Sequence, residues 1–499
     1  MRGSSIKERG MGKDVKVEGA RGLGASMAGL WRRLVRGRDE DREPSSPAAA
    51  VPARTWRRVD ELLQAAAGEY DGEARARERV GQLLAFYQGA GDADRRVFLG
   101  RLEAGFGPGK AEVRKAIDAY LAARDDGDRV RAEGRLADSL ESPRLRILRQ
   151  FNLLPDGVHA LVDMRADLYR LGADACPALE QDLLRLLTLW FDAGFLELRR
   201  IGWESPASLL EKLIRYEAVH EIKSWSDLRN RLDSDRRCYA FFHGRMPAEP
   251  LIFVEVALVR DIADKVQTLL DESQPTLDPE SATTAIFYSI SNAQAGLRGV
   301  SMGEFLIKRV VQQLLSEYPR LRNFATLSPI PGFSRWLDRQ LAEAAYLARI
   351  PAEVQALLEG TGKSGMAAIQ HCLSAELGGT AAQPALKAWL EGECAYYLAR
   401  EKSGKHPLDP VGRFHFSNGA SLGRINWLGD VSARGLRQSC GLMVNYIYAL
   451  KNIERQHQDY AREGSLTLGA DVERCLDAAL RLRRARRPAG RPATRVEVS

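Results

Sequence analysis

Cysteine is sparse in this sequence, whose 499 residues include only six, at positions 176, 238, 372, 394, 440 and 475. They are scattered and form no C-x-x-C pair, which argues against a zinc site or a disulfide framework and favours a reducing compartment. Long apolar runs are also missing. Because a membrane-spanning helix needs roughly 20 apolar residues, we expect no membrane span.

The chain has no strong excess of one charge in its body. The net charge is +7, but Arg-rich stretches at Arg32–Arg42 and Arg481–Arg487 supply much of it. We therefore expect no nucleic-acid partner. The hydrophobic share of 45% and the charged share of 28% are typical of a globular protein, and the length predicts more than one domain.

Shifts in composition and periodicity divide the chain into four parts. Residues 1–50 have few large apolar residues and predict a disordered basic tail rather than a secretory signal. Residues 51–192 show helical spacing throughout and predict an all-α bundle used for packing or assembly. Residues 193–470 predict a mixed α/β catalytic domain with a helical insertion at about 337–405, and residues 471–499 predict a C-terminal helix and basic tail.

The mixed domain is organised around residues 284–337. Thr284–Ile290 has the composition of a buried strand, and a turn with Gly296, Gly299 and Gly303 leads into an amphipathic helix from about Glu304. A glycine turn at a helix N-terminus suits the pyrophosphate of a ligand. The spacing is equally compatible with glycines that serve only a tight turn. The turn lacks the dinucleotide pattern G-x-G-x-x-G.

A second glycine-containing stretch matches a nucleotide-binding motif only in part. Residues 360–364 (GTGKS) end like a phosphate-binding P-loop. The first glycine of that motif would fall at position 357, which is Leu357, and no strand is predicted before it. We therefore reject nucleotide hydrolysis.

Two further residues are candidates for chemistry. His415 lies between Phe414 and Phe416, a setting typical of a core histidine, but polar residues are dense around it in sequence (Asn418, Arg424, Asn426, Asp430, Arg434 and Asn445). Buried polar groups need partners, which ligands often provide. Ser328 precedes Pro-x-Pro, where a hydroxyl can also satisfy a local turn.

Four stretches carry a resemblance to a known family: HGRMPAEPLIFVEVAL, FYSISNAQAGLRGVSMGEFLIKRVV, LSPIPGFSRWL and FHFSNGASLGRINWLGDVSARGLRQSCGLMVNY. Over about residues 150–450 the chain resembles malonyl-CoA decarboxylase. The resemblance implies an α+β multidomain fold, with an N-terminal helical bundle and a catalytic domain like that of GNAT acetyltransferases. It also implies no metal or organic cofactor, and a homo-oligomer, a tetramer formed through the helical domain.

The resemblance implies the site residues as well. The thioester-binding loop matches Arg298, Gly299, Val300, Ser301, Met302, Gly303 and Glu304, and the catalytic pair matches Ser328 and His415. Ser301 stands where some relatives carry glutamate, so a carboxylate role there is not implied. We add Tyr448 as a candidate contact for the substrate carboxylate.

The implied reaction converts malonyl-CoA to acetyl-CoA and CO₂ through an enolate, which His415, paired with Ser328, protonates. Two alternatives stay open: an acyl-CoA N-acyltransferase, which uses the same pyrophosphate turn, and a non-catalytic malonyl-CoA sensor. The expected location is the cytoplasm, with the mitochondrial matrix as the alternative.

Overall fold

The computed structural model of the chain describes residues 51–68, 71–300, 302–379 and 383–485. The predicted tail at 1–50 and the predicted basic tail after 485 lie outside these ranges, as does Ser301. Within them, a helical region precedes a sheet flanked by helices, so the predicted order of an all-α part and a mixed α/β part is confirmed. No helix in these ranges is long and apolar enough to cross a bilayer.

The helical region consists of short helices that each bury one apolar stripe. In α2, for example, Leu83, Leu84 and Tyr87 face the core, and burial of such a side chain contributes about 1.5–3 kcal/mol. Ser142 caps α6, since its Oγ accepts a hydrogen bond from the Leu145 amide at 3.1 Å. The helices of this region are α1 (Ala53–Ala67), α2 (Glu73–Gly89), α3 (Asp92–Gly105), α4 (Lys110–Leu121), α5 (Asp126–Leu140), α6 (Pro143–Gln150), α7 (Gly157–Leu171) and α8 (Pro177–Trp190).

The sheet of the second region has eight strands in the described part of the chain. They are β1 (Leu196–Ile201), β2 (Arg236–His243), β3 (Ile252–Val259), β4 (Thr284–Asn292), β5 (Asn323–Thr326), β6 (Ser328–Pro329), β9 (Ser421–Asn426) and β10 (Met443–Ile447). Their order is β1-β2-β3-β4-β5-β10-β6, and β9 also pairs with β10. Strands β2 and β3 pair antiparallel as a hairpin. Only the β4–β5 pair is parallel among these pairings.

Strands β4 and β5 are joined by the central helix α12 (Gly303–Glu317). They pair from Thr284 and Asn323 as far as Phe287 and Thr326, and then they part. Beyond that point β4 remains paired with β3, whereas the chain after Leu327 pairs with β10 through β6. The result is a gap between two neighbouring strands in the middle of the sheet.

The remaining helices cover the sheet and its edges. They are α9 (Ala207–Tyr216), α10 (Trp225–Arg231), α11 (Val266–Leu270), α13 (Phe333–Leu341), α14 (Ala344–Leu347), α15 (Ala352–Glu359), α16 (Gly365–Leu377), α17 (Pro384–Arg400), α18 (Pro410–Ser417), α19 (Ala433–Ser439), α20 (Ile453–Glu463) and α21 (Ala470–Ala485). A two-residue pair, β7 (Lys402–Ser403) and β8 (His406–Pro407), follows α17.

The C-terminal helix α21 packs into the body of the protein. Val472 and Leu476 belong to the main hydrophobic core. Arg483 donates to the buried Glu393 of α17 at 2.8 Å and stacks on the Tyr396 ring. Arg483, although it belongs to the Arg481–Arg487 run, is therefore not a solvated side chain, because a buried carboxylate needs a cationic partner.

Candidate active site

A cavity of about 260 Å³ occupies the gap where β4 and β5 part. Helix α18 closes one side of it, and the second half of β4 forms another. Its described lining consists of Val219, Ile252, Phe287, Tyr288, Ile290, Asn292, Ser328, Pro329, Pro410, Val411, Phe414 and His415. Ser328 and His415, the two predicted catalytic residues, thus face the same cavity.

Helix α18 holds His415 in its last turn. Asp409 caps the helix by accepting a hydrogen bond from the Gly412 amide at 2.8 Å, and Pro410 occupies the first helical position, where its missing N–H costs nothing. Gly419, with φ of 75°, turns the chain after the helix. Sequence analysis assigned no helix to this stretch.

The imidazole of His415 is held at both nitrogens. Its Nε2 lies 3.0 Å from the Ser328 Oγ, and its Nδ1 lies 2.8 Å from the Tyr448 hydroxyl. Ser328 in turn donates to the Thr326 Oγ1 at 2.8 Å. The four side chains therefore form one buried hydrogen-bonded row. Ser328 does not use its hydroxyl for a local turn, which was the alternative interpretation.

The row specifies the tautomer of His415. Because the Ser328 proton goes to Thr326, the Ser328 Oγ accepts from Nε2–H, and Nδ1 accepts from the Tyr448 hydroxyl. Burial lowers the pKa of His415 to about 3, so the imidazole is neutral at pH 7 in the free protein. Burial likewise raises the pKa of Tyr448 well above its ordinary value, which keeps its hydroxyl proton in place.

Sequence analysis missed two residues of the site, Thr326 and Tyr446. Tyr446 stacks on the His415 ring with a centroid distance of 4.4 Å, and its amide donates to Thr326 at 3.1 Å. Each lies two positions before a candidate residue: Thr326, the last residue of β5, before Ser328, and Tyr446, in β10, before Tyr448. Since side chains two apart on a strand share a face, this alternation was a usable signal.

The polar residues that sequence analysis associated with a ligand are largely satisfied by the protein. Asn445 donates to the Thr326 carbonyl at 2.7 Å and accepts from Arg424 and Asn426. Asp430 accepts from the Ser432 amide. The hydrogen bonds of Asn445 join β9, β10 and the end of β5, so they brace the strands beneath the site.

The predicted thioester-binding loop lies between β4 and α12, outside the described lining of the cavity. Gly299 has φ of 84°, a left-handed conformation that side chains rarely adopt. Met302 is buried and provides no side-chain cap for α12. The structure describes only the backbone of Gly303 and Glu304 within α12, and Ser301 is outside the described residues.

No group of three or more His, Cys, Asp or Glu side chains placed to hold a metal ion is found among the described residues. All six cysteines are described, and all are free thiols. The expectation that catalysis needs no cofactor stays a prediction.

Comparison with protein families gives two matches. The model of the malonyl-CoA decarboxylase C-terminal domain matches residues 194–486, and that of the N-terminal domain matches residues 106–191. Together they include the helical region from α4 onward, the sheet, the cavity and the loop.

Individual proteins match this chain over most of their own length. The mitochondrial malonyl-CoA decarboxylase of Anser anser anser is 38% identical over 449 residues, which cover 84% of this chain and 89% of that protein. The Rattus norvegicus protein of the same name is 37% identical, covering 86% and 93%. The crystal structure of malonyl-CoA decarboxylase from Rhodopseudomonas palustris is 40% identical with a TM-score of 0.75, covering 84% of this chain and 99% of that one. The enzyme from Agrobacterium vitis superposes with the same TM-score at 39% identity.

Proposed function

This chain belongs to the malonyl-CoA decarboxylase family, and from that premise we propose that it converts malonyl-CoA to acetyl-CoA and CO₂ without a cofactor. The observation that carries the proposal is the buried pair of Ser328 and His415, hydrogen-bonded at 3.0 Å on the wall of a cavity that is mostly apolar. Neither member of this pair needs a second substrate to act, which favours decarboxylation over transfer of the acyl group.

The apolar wall assists loss of CO₂. None of the described residues that line the cavity is a lysine or an arginine. A malonyl carboxylate bound here loses water and gains no lysine or arginine partner, which raises its free energy. When the C–C bond breaks, its electron pair moves onto the thioester as an enolate, and the carboxylate leaves as uncharged CO₂. The charge that the cavity destabilises is thereby removed.

His415 supplies the proton that replaces CO₂. The free histidine is neutral, but an anionic substrate beside it favours the imidazolium, since an opposite charge raises the pKa of a histidine. Ser328 passes its hydroxyl proton to the enolate carbon and receives the Nε2 proton of His415. Tyr448 then accepts from Nδ1–H of the neutral ring. One proton from solvent is consumed in each turnover, which balances the reaction.

The loop at 298–304 binds the CoA part of the substrate. The left-handed Gly299 and the absence of a side-chain cap at Met302 support this assignment, because the amides at the N-terminus of α12 are then available to an anion. We assign the CoA pyrophosphate to this helix end. Ser328, His415 and Tyr448 would contact or orient the malonyl end.

One assay tests the function. Incubation with malonyl-CoA and no acceptor should produce acetyl-CoA and CO₂ in equal amounts, whereas an N-acyltransferase or a malonyl-CoA sensor would produce neither. The same assay in EDTA should give the same rate. Loss of activity in EDTA that a divalent metal restores would contradict cofactor independence.

The chain assembles as a tetramer through its helical region. Helices α4 and α5 expose the apolar side chains Leu121 and Val130, which are 74% and 66% accessible, and Ile117 lies on the same hairpin. Clustered apolar residues on a surface mark interaction sites. Light scattering should give the mass of four chains, and Leu121→Glu with Val130→Glu should lower it. A monomeric wild type would refute this assignment.

The location that we assign is the cytoplasm. Six free cysteines support a reducing compartment, a condition that the mitochondrial matrix also meets. Microscopy of the full chain with a C-terminal fluorescent fusion in its native cell would separate the two, and a mitochondrial signal would overturn the cytoplasmic assignment.

A further inference from the structure

A buried arginine of the helical region reaches the proposed CoA loop. Arg165 of α7 is 1% exposed, and its Nη1 donates to the carbonyl oxygens of Gly296 and Arg298, both at 2.7 Å. Its Nη2 donates to Glu180 of α8 at 2.8 Å. One guanidinium thus joins two helices to the two ends of the turn that leads into residues 298–304.

Other contacts of the same helices hold this turn. The Tyr169 hydroxyl donates to Glu180 at 2.9 Å, and the guanidinium of Arg298 lies over the Tyr169 ring at 5.8 Å. Gly296 packs directly on α7, where a Cβ atom would collide with the Val162 carbonyl. Burial alone would raise the pKa of Glu180, but the hydrogen bonds from Arg165 and Tyr169 lower it, so the carboxylate stays charged against Arg165.

We propose that Arg165 is a positioning residue for substrate binding, through which the helical region sets the shape of the CoA loop. This inference rests on the proposed function, in which residues 298–304 bind CoA. A planar guanidinium can hold two carbonyls and a carboxylate in fixed directions, which a lysine ammonium does less well. The helical region therefore completes the substrate site in addition to its role in assembly.

Arg144 provides a matched control. It is 2% exposed, donates to the Leu102 and Glu103 carbonyls and binds Asp182, so it also joins two backbone carbonyls to a carboxylate. Its partners all lie within the helical region. Removing either arginine disturbs a buried charge network, but only Arg165 touches the loop.

The experiment compares R165K and R144K in the full-length protein. Both variants should lower the melting temperature. R165K alone should raise KM for malonyl-CoA and Kd for CoA about tenfold while kcat changes less than about twofold, because hydrogen bonds from a charged donor are lost only at the loop. Hydrogen exchange of amides 296–300 should accelerate in R165K and stay unchanged in R144K.

A second, milder variant keeps the inference testable if R165K does not fold. E180Q removes the charge that orients Arg165 but keeps the side-chain size, and it should raise KM about threefold. Unchanged KM and CoA affinity in folded R165K or E180Q would overturn the inference and leave the decarboxylase intact. A wild-type protein that binds CoA but forms no acetyl-CoA would refute the decarboxylase activity. The CoA affinity of R165K would then decide whether Arg165 positions the CoA loop. Wild type that does not bind CoA would overturn both.

Discussion

The Nε2 of His415 lies 3.0 Å from the Oγ of Ser328, although the two residues are 87 positions apart in the chain. They belong to different elements, since Ser328 follows the parallel strand β5 and His415 lies in the last turn of helix α18. The two meet at the gap where β4 leaves β5. This contact joins the two halves of the proposed chemistry, loss of CO₂ and delivery of a proton.

The first prediction concerns His415 alone. His415→Asn keeps a similar volume but removes the acid, so kcat should fall by about 10²–10⁴-fold. KM should change little, because the proposed function assigns CoA binding to the separate 298–304 loop. Steady-state kinetics and a melting temperature on the same preparation provide the measurement.

His406 is the matched control for that substitution. Its Nδ1 also contacts a tyrosine hydroxyl, that of Tyr460 at 3.0 Å, but His406 is not among the described residues that line the cavity. His406→Asn should leave kcat within about twofold of wild type. A folded His415→Asn protein with kcat within a few-fold of wild type would end the assignment of His415 as proton donor.

The second prediction tests whether Ser328 and His415 act as one unit. Ser328→Ala should lower kcat, because the enolate then loses the hydroxyl that passes on the proton. The double variant should be hardly slower than the slower single variant, since each substitution breaks the same transfer. Rate losses that multiply in the double variant would instead indicate independent roles.

Much of this fold could be predicted from local patterns. The strand, turn and helix around 284–317 have strong periodicity, and the structure has them at Thr284–Asn292 and Gly303–Glu317. Helix α18 was missed because His415 lies between two aromatics in an eight-residue helix, too short for a clear 3.6-residue pattern. Its start signal, Asp409 before Pro410, was present in the sequence.

Long-range contacts could not be predicted in the same way. Ser328 and His415 were chosen from a family resemblance, and no local pattern indicates that their side chains touch. Arg165 carried no signal at all, because its partners Gly296 and Arg298 are 131 and 133 positions away. Such contacts depend on how α7 packs against the turn, which is a property of the tertiary structure.

The third prediction concerns the left-handed Gly299. Gly299→Ala should weaken CoA binding, because an L side chain at φ of 84° costs about 1–2 kcal/mol and the loop will relax away from that conformation. Space is available, since the nearest atom to the new Cβ would be Leu184 Cδ1 at 3.8 Å. Calorimetry with CoA measures the effect.

Gly404 is the control for backbone strain. It has φ of 62°, an added Cβ atom would meet nothing within 4 Å, and the residue belongs to the β7–β8 turn. Gly404→Ala should cost similar stability and leave CoA affinity unchanged. Equal CoA affinity in both variants would show that Gly299 serves only the turn.

The fourth prediction is a pH dependence of stability. Burial lowers the pKa of His415 from 6.5 to about 3, so between these values the unfolded chain binds a proton that the folded chain does not. Stability must therefore fall as the pH falls from about 6.5 towards 3. At pH 4.5 the lowered pKa of His415 reduces the free energy of unfolding by about 2–3 kcal/mol. Between pH 7 and 4.5, urea unfolding should show a smaller loss in His415→Asn than in wild type, and parallel losses would contradict the lowered pKa.

The last prediction is that substrate binding takes up a proton. At pH 7 the free His415 is neutral, and the malonyl carboxylate should turn it into an imidazolium, whereas acetyl-CoA brings no carboxylate and should not. Ser328→Ala should slow turnover enough for malonyl-CoA binding to be followed by calorimetry. Titration in buffers of different ionisation enthalpy should then report uptake approaching one proton for malonyl-CoA and none for acetyl-CoA. Adding His415→Asn should abolish the uptake. Equal binding enthalpies in all buffers with malonyl-CoA would show that His415 stays neutral, and the proton would then have to come from another group.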